Sequence, residues 1–150
     1  MQTFLPYADF GRCARVLDYR RLNSQRKEAM QILNVLRQTG EVLVAGQVVQ
    51  LGKHVGWRNH PAVKMWRGYE DALTLYMNTM IQEWERRGYK NNMRMLGHAP
   101  NPVMPPWLGD ERLHSNHRAR LLEKQPDFYS QYPWVEEPVV ENYWPVYSSS

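Results

Sequence analysis

The residues of this 150-residue chain best suited to chemistry fall in three short blocks. The first is Arg21, Gln25 and Glu28. At the angular step of an α-helix these three lie within about 60° of the direction shared by Ile32 and Leu36. A charged pair on a core-facing stripe must be partnered or must line a cleft, because an unpaired buried charge is strongly unfavourable. Two readings follow: a structural Arg–Gln–Glu network, or the floor of a cleft in which Glu28 serves as the acid/base or electrostatic group. Arg20, Arg26 and Lys27 occupy neighbouring faces. Residues 12–27 carry six positive charges against the single Asp18, which makes a solvated face or a surface for phosphate.

The second block is Lys53, His54, Gly56, Trp57, Arg58, Asn59 and His60, running directly into Pro61. Proline suits the first position of a helix, and a helix start offers free N–H groups and a positive dipole end to an anion. Asn59 or His60 serves as the cap. The cationic and titratable neighbours go beyond what a cap requires, so contact with phosphate or a base is expected here. No carboxylate stands nearby at ligand spacing, and no metal is expected. The third block is His114 and His117, one turn apart on a helix face, with Arg118 beside them. Without an HExxH pattern they read as hydrogen-bonded structural histidines, or one of them faces the ligand. GxSxG, P-loop and GxGxxG elements are missing, so ordinary hydrolases, nucleotide triphosphatases and Rossmann enzymes are not indicated, and no cofactor is expected.

These blocks need elements to hold them. Pro6 keeps Leu5 out of the helical region, so residues 1–10 are expected to be extended. After Gly11 a short helical piece spans Cys13 to Leu17. A longer helix then starts at Asp18 as N-cap and runs to a stop at Gly40. Residues 41–51 form two β-branched runs around Ala45-Gly46, which fits a small hairpin insertion over 41–52. From Pro61, apolar residues at spacings of three and four (Ala62, Trp66, Tyr69, Leu73, Met77, Met80, Ile81, Trp84) predict one helix to Gly88, roughly 40 Å long. Four prolines in 98–106 mark a loop. Gly109-Asp110 precedes a last helix, Glu111 to Lys124, that Pro126 stops. Residues 125–150 read as an irregular tail over the core. The expected fold is mainly α: a compact single-domain helical bundle with an extended N-terminal segment, a hairpin insertion and that tail.

Bulk composition narrows the class. At 43% hydrophobic and 23% charged residues the chain is ordinary globular protein, and 150 residues fit one domain. The net charge of +4 favours a polyanionic partner. Cys13 is the one cysteine, which removes an internal disulfide and points to a reducing, cytoplasmic setting. The first residues lack a signal-peptide pattern, and no run of 18 apolar residues suggests a membrane span. Six tryptophans and nine tyrosines are core material, or, where exposed, stacking surfaces for bases.

Taken in order, the blocks resemble the pyrimidine-dimer DNA glycosylase family, the phage endonuclease V type, and especially its uncharacterised bacterial and phage relatives. The resemblance rests on Thr3-Phe4-Leu5-Pro6, Val16-Leu17-Asp18 through Arg20-Arg21-Leu22, Gln25-Arg26 with Glu28, Gly56-Trp57-Arg58-Asn59-His60-Pro61-Ala62-Val63 and Trp84-Glu85-Arg86-Arg87-Gly88-Tyr89. Pro106-Trp107-Leu108-Gly109-Asp110, His114 through Arg118, Arg120 and Leu121-Leu122 extend it. It implies a helical fold with the N-terminal segment threaded between helices, and a glycosylase and abasic-site lyase that works through an imine on the N-terminal α-amine. In that family the amine belongs to a threonine exposed by removal of the first methionine, and a glutamate on the first helix assists. This sequence departs at both places. Gln2 is bulky and retains Met1, and Arg21 stands where the glutamate would align. Met1 would supply the amine, which as a class is a usable nucleophile near neutral pH, and Glu28 would take over the carboxylate role.

Two functions of different kinds are therefore expected. In one, a flipped nucleotide of DNA enters the cleft of Arg21, Gln25 and Glu28 while Arg26, Lys53 and Arg58 hold phosphates. In the other, the pocket binds or cleaves a small nucleotide or nucleotide-derived signal, with Trp57 or a tyrosine on the base and Arg26, Arg58 and His60 on the phosphates. A non-catalytic scaffold is the third alternative.

Overall fold

A computed structural model describes residues 1–37, 41–44, 47–50 and 59–146. The chain is mainly helical, in the order α1 (Phe10–Val16), α2 (Tyr19–Arg37), β1 (Glu41–Val44), β2 (Gln47–Gln50), α3 (Pro61–Lys64), α4 (Glu70–Arg86), α5 (Glu111–Lys124) and α6 (Pro126–Tyr129). β1 and β2 pair antiparallel, Glu41 opposite Gln50 and Val44 opposite Gln47. The expected stop at Gly40 and turn at Ala45-Gly46 lie outside the described residues.

The first helix begins earlier than the sequence suggested. Asp9 caps it, its carboxylate accepting from the Arg12 backbone N–H at 2.8 Å, and Phe10 opens the helix ahead of Gly11. Asp18 stands just before α2, its carboxylate accepting from the Arg21 backbone N–H at 3.4 Å. On α2 the buried set of Leu22, Gln25, Ala29, Ile32 and Leu33 faces α4, whose Leu73, Tyr76, Met77, Met80 and Ile81 are fully covered. That apolar seam is the main source of stability, at roughly 25 cal/mol for each Å² removed from water.

The single helix expected over 61–87 is two. α3 stops after one turn, Gly68 takes φ +86°, and α4 starts at Glu70. A left-handed residue ends a helix whatever the side-chain period does, and Gly88, at φ +90°, ends α4 in the same way. Apolar spacing survives the break because Trp66 turns into the core, its ring against Phe10, Tyr76 and Trp107. The tail is also more ordered than a plain irregular chain. It carries α6, whose Tyr129 donates to the Asp18 carboxylate, and Trp134 stacks on Tyr129 with centroids 5.5 Å apart.

Between these helices runs the N-terminal segment, with Thr3, Phe4, Leu5 and Pro6 all buried. A buried extended strand must satisfy its backbone groups, and side chains do so here. Gln25 accepts from the Phe4 N–H at 2.8 Å and donates to the Gln2 carbonyl at 3.1 Å. Tyr76 donates to the Phe4 carbonyl at 2.8 Å. Leu5 is held at both ends, its N–H donating to His117 Nδ1 at 2.8 Å and its carbonyl accepting from His114 Nδ1 at 2.7 Å.

Candidate functional site

Threading the N-terminal segment this way delivers Met1 to a cavity of about 410 Å³ between the start of α2, the end of α5 and the tail. α2 contributes Arg21, Ser24, Gln25 and Glu28 to its wall. The polar stripe read from the sequence is therefore real, and it turns into this cavity at its N-terminal end. Its members do not form a network with one another. Arg21 Nη1 donates to Gln125 at 2.8 Å and lies 3.4 Å from the Asp18 carboxylate. Gln25 is occupied by the N-terminal backbone, which makes it a holder of the segment. Glu28 differs: its Oε2 is buried and has no hydrogen-bond partner among the described residues. A bare buried carboxylate oxygen costs free energy of about 1–3 kcal/mol or more, so its retention calls for a reason.

Two groups of charges line the cavity. In one, Arg21, Arg120 and Lys124 gather; burial lowers the Lys124 pKa, and the neighbouring Arg120 and Arg21 charges lower it further. In the other, His60 lies within electrostatic reach of both the terminal amine and Glu28. Burial lowers its pKa below the ordinary 6.5, the amine pushes in the same direction, and the Glu28 carboxylate opposes them. His60 is also the cap of α3, Nδ1 accepting from the Ala62 N–H at 3.1 Å. The expected anion site at that helix start loses its basis, since α3 has only four residues and cannot build a useful macrodipole. Asn59 is exposed, whereas Lys53, His54, Trp57 and Arg58 lie outside the described residues.

Several other expected contacts point elsewhere. Arg26 is buried on the far flank of α2, its guanidinium 4.5 Å from the Trp84 ring centroid and its Nη1 donating to Asn91 at 2.6 Å. Arg20 projects outward over the exposed Tyr19. His114 and His117 are buried, and besides clamping Leu5, His114 Nε2 accepts from the Gly109 N–H at 2.9 Å. They act on the cavity only by fixing the strand that ends in Met1. Arg118 turns to the other side of α5, donating to Glu136 at 3.0 Å and to the Pro6 carbonyl at 2.8 Å, and it also pairs with Glu111.

Sequence reasoning missed seven lining residues: Gln2, Phe4, Ser24, Arg120, Lys124, Asn142 and Trp144. Arg120 and Lys124 stand at i and i+4 on α5, which is a readable signal for one charged face. Asn142 and Trp144 gave none, because an irregular tail has no period. The tail is pinned by Gln2 Nε2 donating to Asn142 at 2.9 Å, Arg120 Nε to the same oxygen at 2.9 Å, and Asn116 bridging the Glu141 carbonyl and the Tyr143 N–H, both at 2.9 Å.

The described residues are mainly helical and threaded by the N-terminal segment, with Met1, Glu28 and three cations around one cavity. Residues 1–96 match the family model for pyrimidine dimer DNA glycosylase, and the chain belongs to that family. No curated protein and no solved structure matches it. The matched stretch supplies Met1, Arg21, Gln25, Glu28 and His60. Arg120, Lys124, Asn142 and Trp144 come from beyond it.

Proposed function

We propose that the protein is a DNA glycosylase with abasic-site lyase activity, receiving a flipped nucleotide in the cavity at Met1 and Glu28. The observation that carries this reading is the pairing of a terminal amine with a carboxylate that keeps one oxygen unpartnered in the same cavity. The Met1 amine attacks C1′ of the sugar, the glycosidic bond breaks, and its electron pair leaves with the base. Ring opening gives the imine, O4′ taking a proton. Glu28 then removes a proton from C2′, the electrons move toward C3′, and the 3′ phosphate leaves with the C3′–O pair. Arg21, Arg120 and Lys124 hold phosphates in the same cavity.

Strand scission of a duplex with one abasic site tests the proposal. Glu28→Gln keeps shape and removes the base, so the cleavage rate is expected to fall about 100-fold or more while duplex affinity stays within about twofold. Unchanged scission by that variant would remove Glu28 from the mechanism.

A second reading, a module for a small nucleotide, draws support from the cavity volume, which suits a single small ligand. It predicts tight binding of a mono- or dinucleotide with weak salt dependence, against the steep dependence of a duplex.

A further inference from the structure

We propose that Trp144 is the residue by which the cavity recognises a base: its indole face stacks on the base and its N–H donates to an acceptor on the base edge. The proposal rests on reading the cavity as a nucleotide site. Four of the five tryptophans among the described residues spend their indole N–H inside the protein: Trp66 on Thr3 at 3.0 Å, Trp84 on the Lys90 carbonyl at 3.0 Å, Trp107 on the Met65 carbonyl at 2.8 Å and Trp134 on the Tyr7 hydroxyl at 2.7 Å. Trp144 donates to no described residue. It is half-buried, it lines the cavity, and the one ring it meets among the described residues is His60. Those two rings stand at 85° with centroids 5.9 Å apart, so His60 covers at most one indole face. Trp144 also packs against the hydrophobic core, so part of its ring is covered, but a large aromatic at the cavity wall with an unspent donor is suited to a flat ligand bearing ring carbonyls or ring nitrogens.

Its position fits the chemistry of the cavity. The cationic group of Arg21, Arg120 and Lys124 suits phosphate, whereas Trp144 sits with His60, which senses both the terminal amine and Glu28. A nucleotide bound between the two groups would put its phosphate among the cations, its sugar at the amine and its base against the indole. The Gln2–Asn142–Arg120 hydrogen bonds and the Asn116 bridge fix the backbone on which Trp144 stands. The base-reading residue thus lies outside the family-matched stretch.

Binding of two matched duplexes tests this, one bearing a thymine dimer and the other a tetrahydrofuran abasic residue at the same place. Anisotropy titrations use protein acetylated at the terminal amine, which removes the nucleophile of the first step and prevents turnover. Trp144→Leu removes both face and donor, and is expected to weaken the dimer duplex about tenfold or more while leaving the tetrahydrofuran duplex within about twofold. Trp144→Phe keeps a ring and is expected to lose less. Equal weakening on both duplexes would overturn the proposal in favour of a purely structural tail residue. No change on either would overturn it outright. Failure of the lyase reading shows separately: wild-type protein would then cleave no abasic strand even where the two duplexes still discriminate Trp144→Leu.

Discussion

Glu28, Gln25 and Arg21 share one stripe of α2 and have three different jobs because their surroundings differ. Gln25 has both amide ends on the N-terminal backbone, Arg21 is tied to Gln125 and Asp18, and Glu28 alone of the three keeps a buried oxygen without a partner among the described residues. The histidines of α5 carry a separate consequence. His117 is buried without a countercharge, and burial pushes its pKa down to about 3, with His114 and Arg120 acting in the same direction. In the unfolded chain it binds its proton near pH ~6.5, so between those values the unfolded state holds more protons. Its contribution is fully present above pH ~6.5 and is lost as pH falls toward 3, by up to about 1.4 kcal/mol per pH unit. Urea midpoints are expected to drop between pH 7 and 5, and His117→Gln is expected to flatten that drop although it lowers stability at pH 7. A midpoint independent of pH in wild-type protein would count against a neutral buried His117. Helical period exposed the α2 stripe in the sequence. It could not say that His114 and His117 serve Leu5, because a spacing of three shows which side chains are neighbours and not what they hold.

Among the elements, the break between α3 and α4 has the most consequence for the site. It lets His60 cap a one-turn helix at the cavity while Trp66 dives into the core behind Thr3. Gly68 carries the break at φ +86°, and a Cβ there would meet no atom within 4 Å. Gly68→Ala therefore isolates backbone strain, and a loss of about 1–2 kcal/mol in urea denaturation is expected, with activity retained. A neutral result would place the break's stability in the aromatic packing instead. The break was hidden in the sequence because the apolar spacing runs on through Trp66 and Tyr69, and period outweighed the glycine. Helices α2 and α5 were legible from caps, period and Pro126. The tail was not, since its order comes from single long-range hydrogen bonds such as those of Tyr129 and Asn142.

At the scale of the molecule, a net charge of +4 is modest, and its placement matters more than its size. Arg26 and Arg118 are spent on Trp84 and on Glu136, so the cations left at the cavity are Arg21, Arg120 and Lys124. If these neutralise phosphates, affinity for a duplex falls steeply with salt, and Arg120→Ala or Lys124→Ala each reduces the log–log slope by about one. A slope unchanged in both variants would move the phosphate contacts elsewhere on the surface. No helix among the described residues is long and apolar enough to cross a membrane. Family membership was legible from the residue blocks between Thr3 and Tyr89, which fall within the matched stretch; those from Pro106 on lie beyond it. The part of the cavity beyond residue 96 became visible only when the fold brought α5 and the tail to Met1.

The central claim is that the Met1 amine is the nucleophile, and borohydride trapping tests it most directly. Wild-type protein of verified intact mass, incubated with an abasic duplex and reduced, is expected to give a covalent protein–DNA adduct. Peptide mapping of that adduct is expected to place the cross-link on the amine of Met1, with acetylation of that amine abolishing it. An adduct on a lysine, or none from protein that retains its Met1 amine and binds the duplex, would contradict the account.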